Sequence, residues 1–207
     1  MRGGNATEKM MKIPTILGLV CGLIGVPAIS QADTFLFTVI PSAPLVGTSS
    51  VPFLDVSIQV SGLATQSLAE YDVTLAFDPA LLAHVSTNYG DPVLGDQLEL
   101  NQPSIQLQPP NVGVGTVEIA QASTDSESDL NTLQLSTFIV AVLHLKPLGV
   151  GISPLNLTVH AAGDPLGNAV STAVLNSSVH TVPEPGVFLL VGFGLVGVFA
   201  LKQRLHR

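Results

Sequence analysis

The chain contains no tryptophan and a single cysteine, Cys21. One thiol cannot form an intrachain disulfide, and Cys21 lies inside an apolar run near the N-terminus. Neither a disulfide framework nor thiol chemistry is therefore available to the rest of the chain. Cations are almost as scarce. Between residues 33 and 182 the only Lys or Arg is Lys146, set against thirteen Asp and Glu. A field of that sign repels nucleic acid and anionic lipid, and the near-absence of Lys and Arg removes the usual oxyanion and phosphate electrophiles. The segment's histidines, His84, His144, His160 and His180, show neither H-x-H nor H-E-x-x-H spacing, and no G-x-S-x-G elbow occurs. His144, in an apolar run, is expected to be a hydrogen-bonded strand histidine rather than a ligand. The expectation is a non-enzyme.

What is present at the N-terminus is an address. Lys12 leads an apolar run, Ile13–Ile29, followed by Ser30-Gln31-Ala32. A charged start, an apolar middle and small residues at −3 and −1 describe a secretory signal peptide, cleaved after Ala32 to leave Asp33 as the new terminus. Residues 1–10 read as an upstream extension, with Met10 or Met11 equally suitable as the start. Lipidation of Cys21 is excluded, because Leu19-Val20 precede it where small residues are needed.

A second address closes the chain. Pro183-Glu184-Pro185 is held extended by two prolines, fifteen residues from Val187 to Leu201 are apolar or glycine, and Lys202, Arg204 and Arg207 follow with no acid among them. As a helix the run covers about 22 Å, short of the roughly 30 Å hydrocarbon core unless the bilayer thins or Pro185-Gly186 joins it. The trailing cations act as a cytoplasmic stop under the positive-inside rule. These three parts, in this order, resemble the PEP-CTERM sorting signal of Gram-negative bacteria. The resemblance implies processing by a membrane-embedded exosortase, which removes the tail after signal peptidase has acted at the other end. It also implies export across the inner membrane, a single-pass precursor held by the C-terminal helix, and a mature form at the cell surface or in the extracellular matrix. The alternative is a plain single-span anchor. Gly192, Gly194 and Gly197 weaken the run as a permanent anchor and favour a disposable one.

The 150 residues between the two addresses, 33–182, suit one domain with a sizeable core. Their periodicity is that of strands. Val56, Ile58 and Val60 alternate with polar neighbours, as do Tyr71, Val73, Leu75 and Phe77. Phe35, Phe37 and Val39 predict an earlier strand. Val117 with Ile119, and Leu155 with Leu157 and Val159, predict later ones. Phe138–Leu145, apolar almost throughout, predicts a central strand covered on both faces. Glycine and proline punctuate these runs, and no amphipathic helix is expected. The fold class expected is all-β, an antiparallel β-sandwich of jelly-roll type. The stretch Leu68–Leu82, ending in Phe77-Asp78-Pro79-Ala80-Leu81-Leu82, resembles the third-strand region of cohesin modules. Asp164-Pro165-Leu166-Gly167-Asn168 falls where those modules carry a D-x-x-G hairpin.

No metal or other cofactor is expected. Asp125, Glu127 and Asp129 mimic the first positions of an EF-hand loop, but Leu130 stands where the turn wants glycine and Ser136 where the bidentate acid belongs. The acids of Asp91–Glu99 form a second acidic loop. Either could hold Ca²⁺ only weakly. Of the aromatic residues only Tyr89 is expected to be free, which makes a poor saccharide platform. The domain architecture is thus a signal peptide (1–32), a cohesin-like sandwich (33–182) and a sorting signal (183–207). The resemblance implies an adhesion or scaffold protein of the envelope or exopolysaccharide matrix that binds a dockerin-like protein on a polar strand face. Direct binding of extracellular polysaccharide is the alternative.

Overall fold

The structure is a computed structural model, described over residues 34–47, 53–63 and 66–183. The cleavage site Ala32–Asp33, residues Glu184 and Pro185, the run 187–201 and the cations Lys202, Arg204 and Arg207 lie outside the described residues.

Twelve strands and one short helix make up the described part: β1 (Thr34–Pro41), β2 (Leu45–Gly47), β3 (Leu54–Ser61), β4 (Glu70–Ala76), β5 (Leu82–Tyr89), β6 (Ile105–Gln106), β7 (Asn111–Gly113), β8 (Thr116–Ala122), α1 (Glu127–Leu133), β9 (Thr137–Pro147), β10 (Gly151–Gly163), β11 (Ser171–Leu175) and β12 (Ser177–Val182). They form a five-stranded sheet, β11-β1-β3-β9-β5, and a seven-stranded sheet, β2-β12-β10-β4-β8-β6, with β7 also paired to β8. Most neighbours are antiparallel. The exceptions are β1 with β11 and β2 with β12, where an early strand lies parallel to a late one.

The alternation in the sequence becomes the two inner faces. Phe35, Phe37 and Val39 of β1 and Val56, Ile58 and Val60 of β3 meet Tyr71, Val73 and Leu75 of β4, Val117 and Ile119 of β8 and Leu155 of β10 in one core. At period two, every second side chain of a strand turns inward, so each sheet contributes one apolar face. The Asp78-Pro79 turn forms as its residues dictate. Asp78 Oδ1 accepts from Ala80 N at 2.8 Å, its carbonyl accepts from Leu81 N and Leu82 N, and Leu82 re-enters the core.

Two elements differ from the sequence expectation. The unbroken apolar run of β9 does not require cover on both faces. Its register against β3 shifts between Ile58↔Ala141 and Gln59↔Ile139, which leaves Val140 as an extra residue. Val140 and Ala141 are both buried through this bulge, and Val142 is the one other buried residue in the outward row. The carbonyl of Val140, displaced from the ladder, accepts from Gly90 N at 2.9 Å and from Tyr71 Oη at 3.2 Å. The second difference is α1. Ser126 caps it by accepting from Asp129 N, Glu127 and Asp129 lie in its first turn, and Leu130 anchors it to the interior. A seven-residue helix has too few turns to show amphipathic periodicity, and its signature is the Ser126-x-x-Asp129 cap. Among the described residues no helix is long and apolar enough to cross a membrane.

Candidate functional site

The outer face of the seven-stranded sheet is built from rows that cross β10, β4 and β8. One row is Asn156–Ala76–Thr116, the next Thr158–Thr74–Glu118, then Ala161–Asp72–Ala120. The register of β10 against β4 slips at His160, so that Ala161 rather than the imidazole stands beside Asp72. His160 instead meets Thr74 Oγ1 at 2.9 Å. Asp72 is therefore flanked by two methyl groups, and a concavity of about 400 Å³ opens there. Ile105 and Leu107 wall it on the β6 side, Glu70, Ala120, Ala122 and Ala161 also line it, and Tyr71, Gln106 and Gln121 contribute polar groups. Asp72 Oδ1 is buried and has no hydrogen-bond partner. Glu70, Asp72 and Glu118 give this face three carboxylates and no Lys or Arg. Glu118 accepts from Asn111 Nδ2 at 2.8 Å.

Beneath the concavity lies a polar network. Tyr71, 2 % exposed, donates from Oη to Gln121 Oε1 at 3.1 Å, and the equally buried Gln121 amide donates to Ser104 Oγ at 2.9 Å and to Asp96 Oδ2. Asp96 Oδ2 also accepts from Gln106 Nε2, and Oδ1 accepts from Leu98 N. Burial raises the Tyr71 hydroxyl pKa well above its usual value, with the charges of Tyr89 and Asp96 adding to it, so Tyr71 stays a neutral donor. The network ties the 90–107 loop to β8 and thereby sets the height of the Ile105–Leu107 wall.

The acidic loops are committed to the backbone. Asp91 Oδ1 closes its own turn by accepting from Val93 N and Leu94 N. Asp125 accepts from Leu100 N, Asn101 N and Gln102 N at 2.8–2.9 Å, with Ser123 Oγ nearby at 3.3 Å. Desolvation pushes the Asp125 carboxyl up, but the three amide hydrogen bonds together outweigh it and hold it below its ordinary value. A depressed carboxyl pKa contributes stability that is present above the unfolded value of about 4 and is lost as pH falls through the folded one. Asp125→Asn should cost about 1–2 kcal/mol at neutral pH and flatten the acid limb of a stability–pH curve measured by denaturant unfolding. An unchanged acid limb would show that Asp125 does not carry this dependence. Asp164 is held down in the same way, chiefly by Asn168. Among the described residues no group of three or more His, Asp or Glu is placed to hold a metal ion.

The outer face of the five-stranded sheet carries a second polar group. His144 Nδ1 meets Asp55 Oδ1 at 2.6 Å, and Nε2 meets Asn88 Nδ2 at 3.1 Å, which satisfies both ring nitrogens. His84 Nε2 meets Thr87 Oγ1 at 2.8 Å. Burial lowers the His84 pKa and the neighbouring His144 adds to this, while a backbone hydrogen bond at Ser86 opposes it. The free aromatic is not Tyr89. Its hydroxyl donates to the Leu107 carbonyl at 2.6 Å, and its pKa is pushed up to about 12 by burial. Among the described residues the exposed ring is Phe53, 44 % accessible and edge-on to His144 at 6.5 Å. Flanking sequence gave no signal for it, since Phe53 precedes an apolar-alternating strand and reads as part of it.

Of the residues singled out in the sorting signal, Pro183 is described, exposed, one residue beyond β12. Residues 181–204 match the family model described as the PEP-CTERM protein-sorting motif. The matched range takes in Pro183-Glu184-Pro185, Lys202 and Arg204 and stops short of Arg207. No curated protein matches the chain. Among solved structures, the fold is similar to a non-cellulosomal cohesin from the hyperthermophilic archaeon Archaeoglobus fulgidus, at 12% identity and TM-score 0.52 over 75% of this chain and 96% of that one. It is similar also to a chain of the type I cohesin–dockerin complex Coh-OlpC–Doc435 from Clostridium thermocellum, at 8% identity and TM-score 0.55, covering 74% and 97%. A type II cohesin domain from the cellulosome of Acetivibrio cellulolyticus gives 15% identity and TM-score 0.52, covering 70% and 95%. The sandwich is thus cohesin-like in fold and ends in a PEP-CTERM sorting motif.

Proposed function

We propose that this chain is a non-catalytic binding module, exported and sorted by an exosortase to the surface or extracellular matrix of a Gram-negative bacterium. There it holds a protein partner on the outer face of its seven-stranded sheet. The observation that carries the choice of face is Asp72, which lines an apolar-walled concavity and whose Oδ1 is buried without a hydrogen-bond partner. An unpaired buried acceptor costs about 1–3 kcal/mol, and a donor brought by a partner recovers it. The cohesin-like fold supports a protein ligand, because cohesins of the same fold include one in complex with a dockerin. The domain requires no metal on this reading, the carboxylates of Asp91 and Asp125 being occupied by backbone N–H groups.

The test is a cross-linking pull-down from native cells with tagged full-length chain, beside the same chain carrying Ala120→Arg. The arginine fills the concavity and should reduce recovery of a specific protein partner at least about tenfold, as loss of a central contact does. A partner retained equally by both proteins would move the site to another face. Mass spectrometry of the secreted protein should find a C-terminus near Pro185, and an intact Arg207 would contradict processing. Saccharide binding has one observation in its favour, the exposed Phe53 ring beside Asp55, Asn88 and His144. Glycan-array binding without any protein partner would establish it in place of the first reading.

A further inference from the structure

The sandwich has one end that differs in chemistry from the rest of its surface. Leu45 of β2, His180 of β12 and Ile152 of β10 form a cross-strand row, and Leu148 and Val150 lie in the turn that enters β10. Leu45, Leu148, Val150 and Ile152 are each more than half exposed. The turn is not loose, since Leu148 N donates to the Leu81 carbonyl at 2.8 Å and Gly151 N to Thr181 Oγ1 at 2.9 Å. Lys146, the sole Lys or Arg of residues 33–182, is exposed at the same end, two residues before Leu148. It makes no ion pair among the described residues. The acids there are Asp55, engaged by His144, and Asp78, engaged by Ala80 N.

The chain also leaves the domain at this end. Thr181 pairs with Gly151, and β12 finishes at Val182. Four residues, Pro183 to Gly186, separate that strand from the apolar run at Val187. Fully extended, the chain from Val182 to Val187 reaches about 17 Å. If 187–201 is inserted in a bilayer, the end of β12 is held within that distance of the membrane surface.

We infer that in the membrane-inserted precursor this end of the domain rests on the bilayer. Leu45, Leu148, Val150 and Ile152 enter the interface, and Lys146 meets lipid phosphate. Apolar side chains around a tether, with a cation beside them, suit a zwitterionic leaflet, whereas the acidic remainder of the domain faces away. Resting there fixes the height of Pro183-Glu184-Pro185 above the membrane, where a membrane-embedded processing enzyme must reach it. The inference rests on the reading of 187–201 as a membrane span.

The absence of tryptophan supplies the experiment. Single substitutions Leu148→Trp, Val150→Trp, Val93→Trp and Leu190→Trp are made in the exported precursor with its C-terminus intact, reconstituted into phosphatidylcholine vesicles containing shallow brominated lipid. Leu148, Val150 and Val93 are exposed, so tryptophan there leaves the core untouched. Val93 lies beyond the opposite end of β5, away from the tether. Fluorescence of the Leu148→Trp and Val150→Trp proteins should be quenched several-fold more than that of Val93→Trp. Quenching at Leu190→Trp without quenching at Leu148→Trp and Val150→Trp would overturn the resting surface and leave the span intact. Equal quenching at Val93→Trp would overturn it too, and no quenching at Leu190→Trp would overturn the span itself.

Discussion

Gly90→Ala should destabilise the domain by about 3 kcal/mol or more, a large share of the roughly 5–15 kcal/mol that ordinarily separates folded from unfolded chains. Two terms combine. Gly90 has φ +80°, where an L side chain costs roughly 1–2 kcal/mol. A Cβ at Gly90 would also stand 2.7 Å from Asp96 Cα and 2.8 Å from Asp96 Cβ. Those atoms have nowhere to go, because Asp96 is fixed by Leu98 N on one carboxylate oxygen and by Gln106 and Gln121 on the other. Gly95 is the internal control. It has the same φ of +80°, but nothing lies within 4 Å of its would-be Cβ. Gly95→Ala should therefore show only the backbone cost, about 1–2 kcal/mol. Urea unfolding of the two variants decides it, and equal losses would mean that the contact with Asp96 relaxes freely.

Tyr71→Ala should cost about 3–5 kcal/mol, the range for deleting a large buried ring. Tyr71→Phe separates packing from polarity. It keeps the ring in the core and removes the donor that serves Gln121 Oε1 and the Val140 carbonyl. The Val140 carbonyl keeps Gly90 N, whereas Gln121 Oε1 keeps no other donor among the bonds described, so a loss of about 1–3 kcal/mol is expected. A Tyr71→Phe loss below about 0.5 kcal/mol would show that the network positions the loop without stabilising the fold. Because Gln121, Asp96 and Ser104 carry the wall of the concavity, Tyr71→Phe should also weaken partner binding more than its effect on stability explains.

The parts of this molecule visible in the sequence are those governed by residues two to four apart. The alternation of Val56, Ile58 and Val60, and of Tyr71, Val73 and Leu75, placed both inner faces, because strand side chains alternate regardless of partner. The Asp78-Pro79 turn was visible for the same local reason. What the sequence hid depends on pairing over distance. The bulges at Val140 and His160 are mismatches between two strands, with no mark in either strand alone. The candidate site inherits that opacity. Asp72 looked like any outward strand residue, and only the slip at His160 leaves it between Ala161 and Ala120. The Tyr71–Gln121–Asp96 network joins residues 25 to 50 positions apart, beyond the reach of any motif. Phe53 and Tyr89 exchanged expected roles for a similar reason. Which ring was covered depended on where the Leu107 carbonyl, just past β6, came to lie.

The parallel pairing of β1 with β11 has a kinetic consequence. Thr34 lies opposite Ser171, and Leu45 opposite His180, so the first strands are completed by nearly the last. Pairings this distant in sequence form slowly, because a long loop must close before the contact rewards it. A chain that emerges from the export channel N-terminus first cannot finish either sheet until residues 171–182 have followed. Completion of both sheets thus waits on the pairing of residues 171–182.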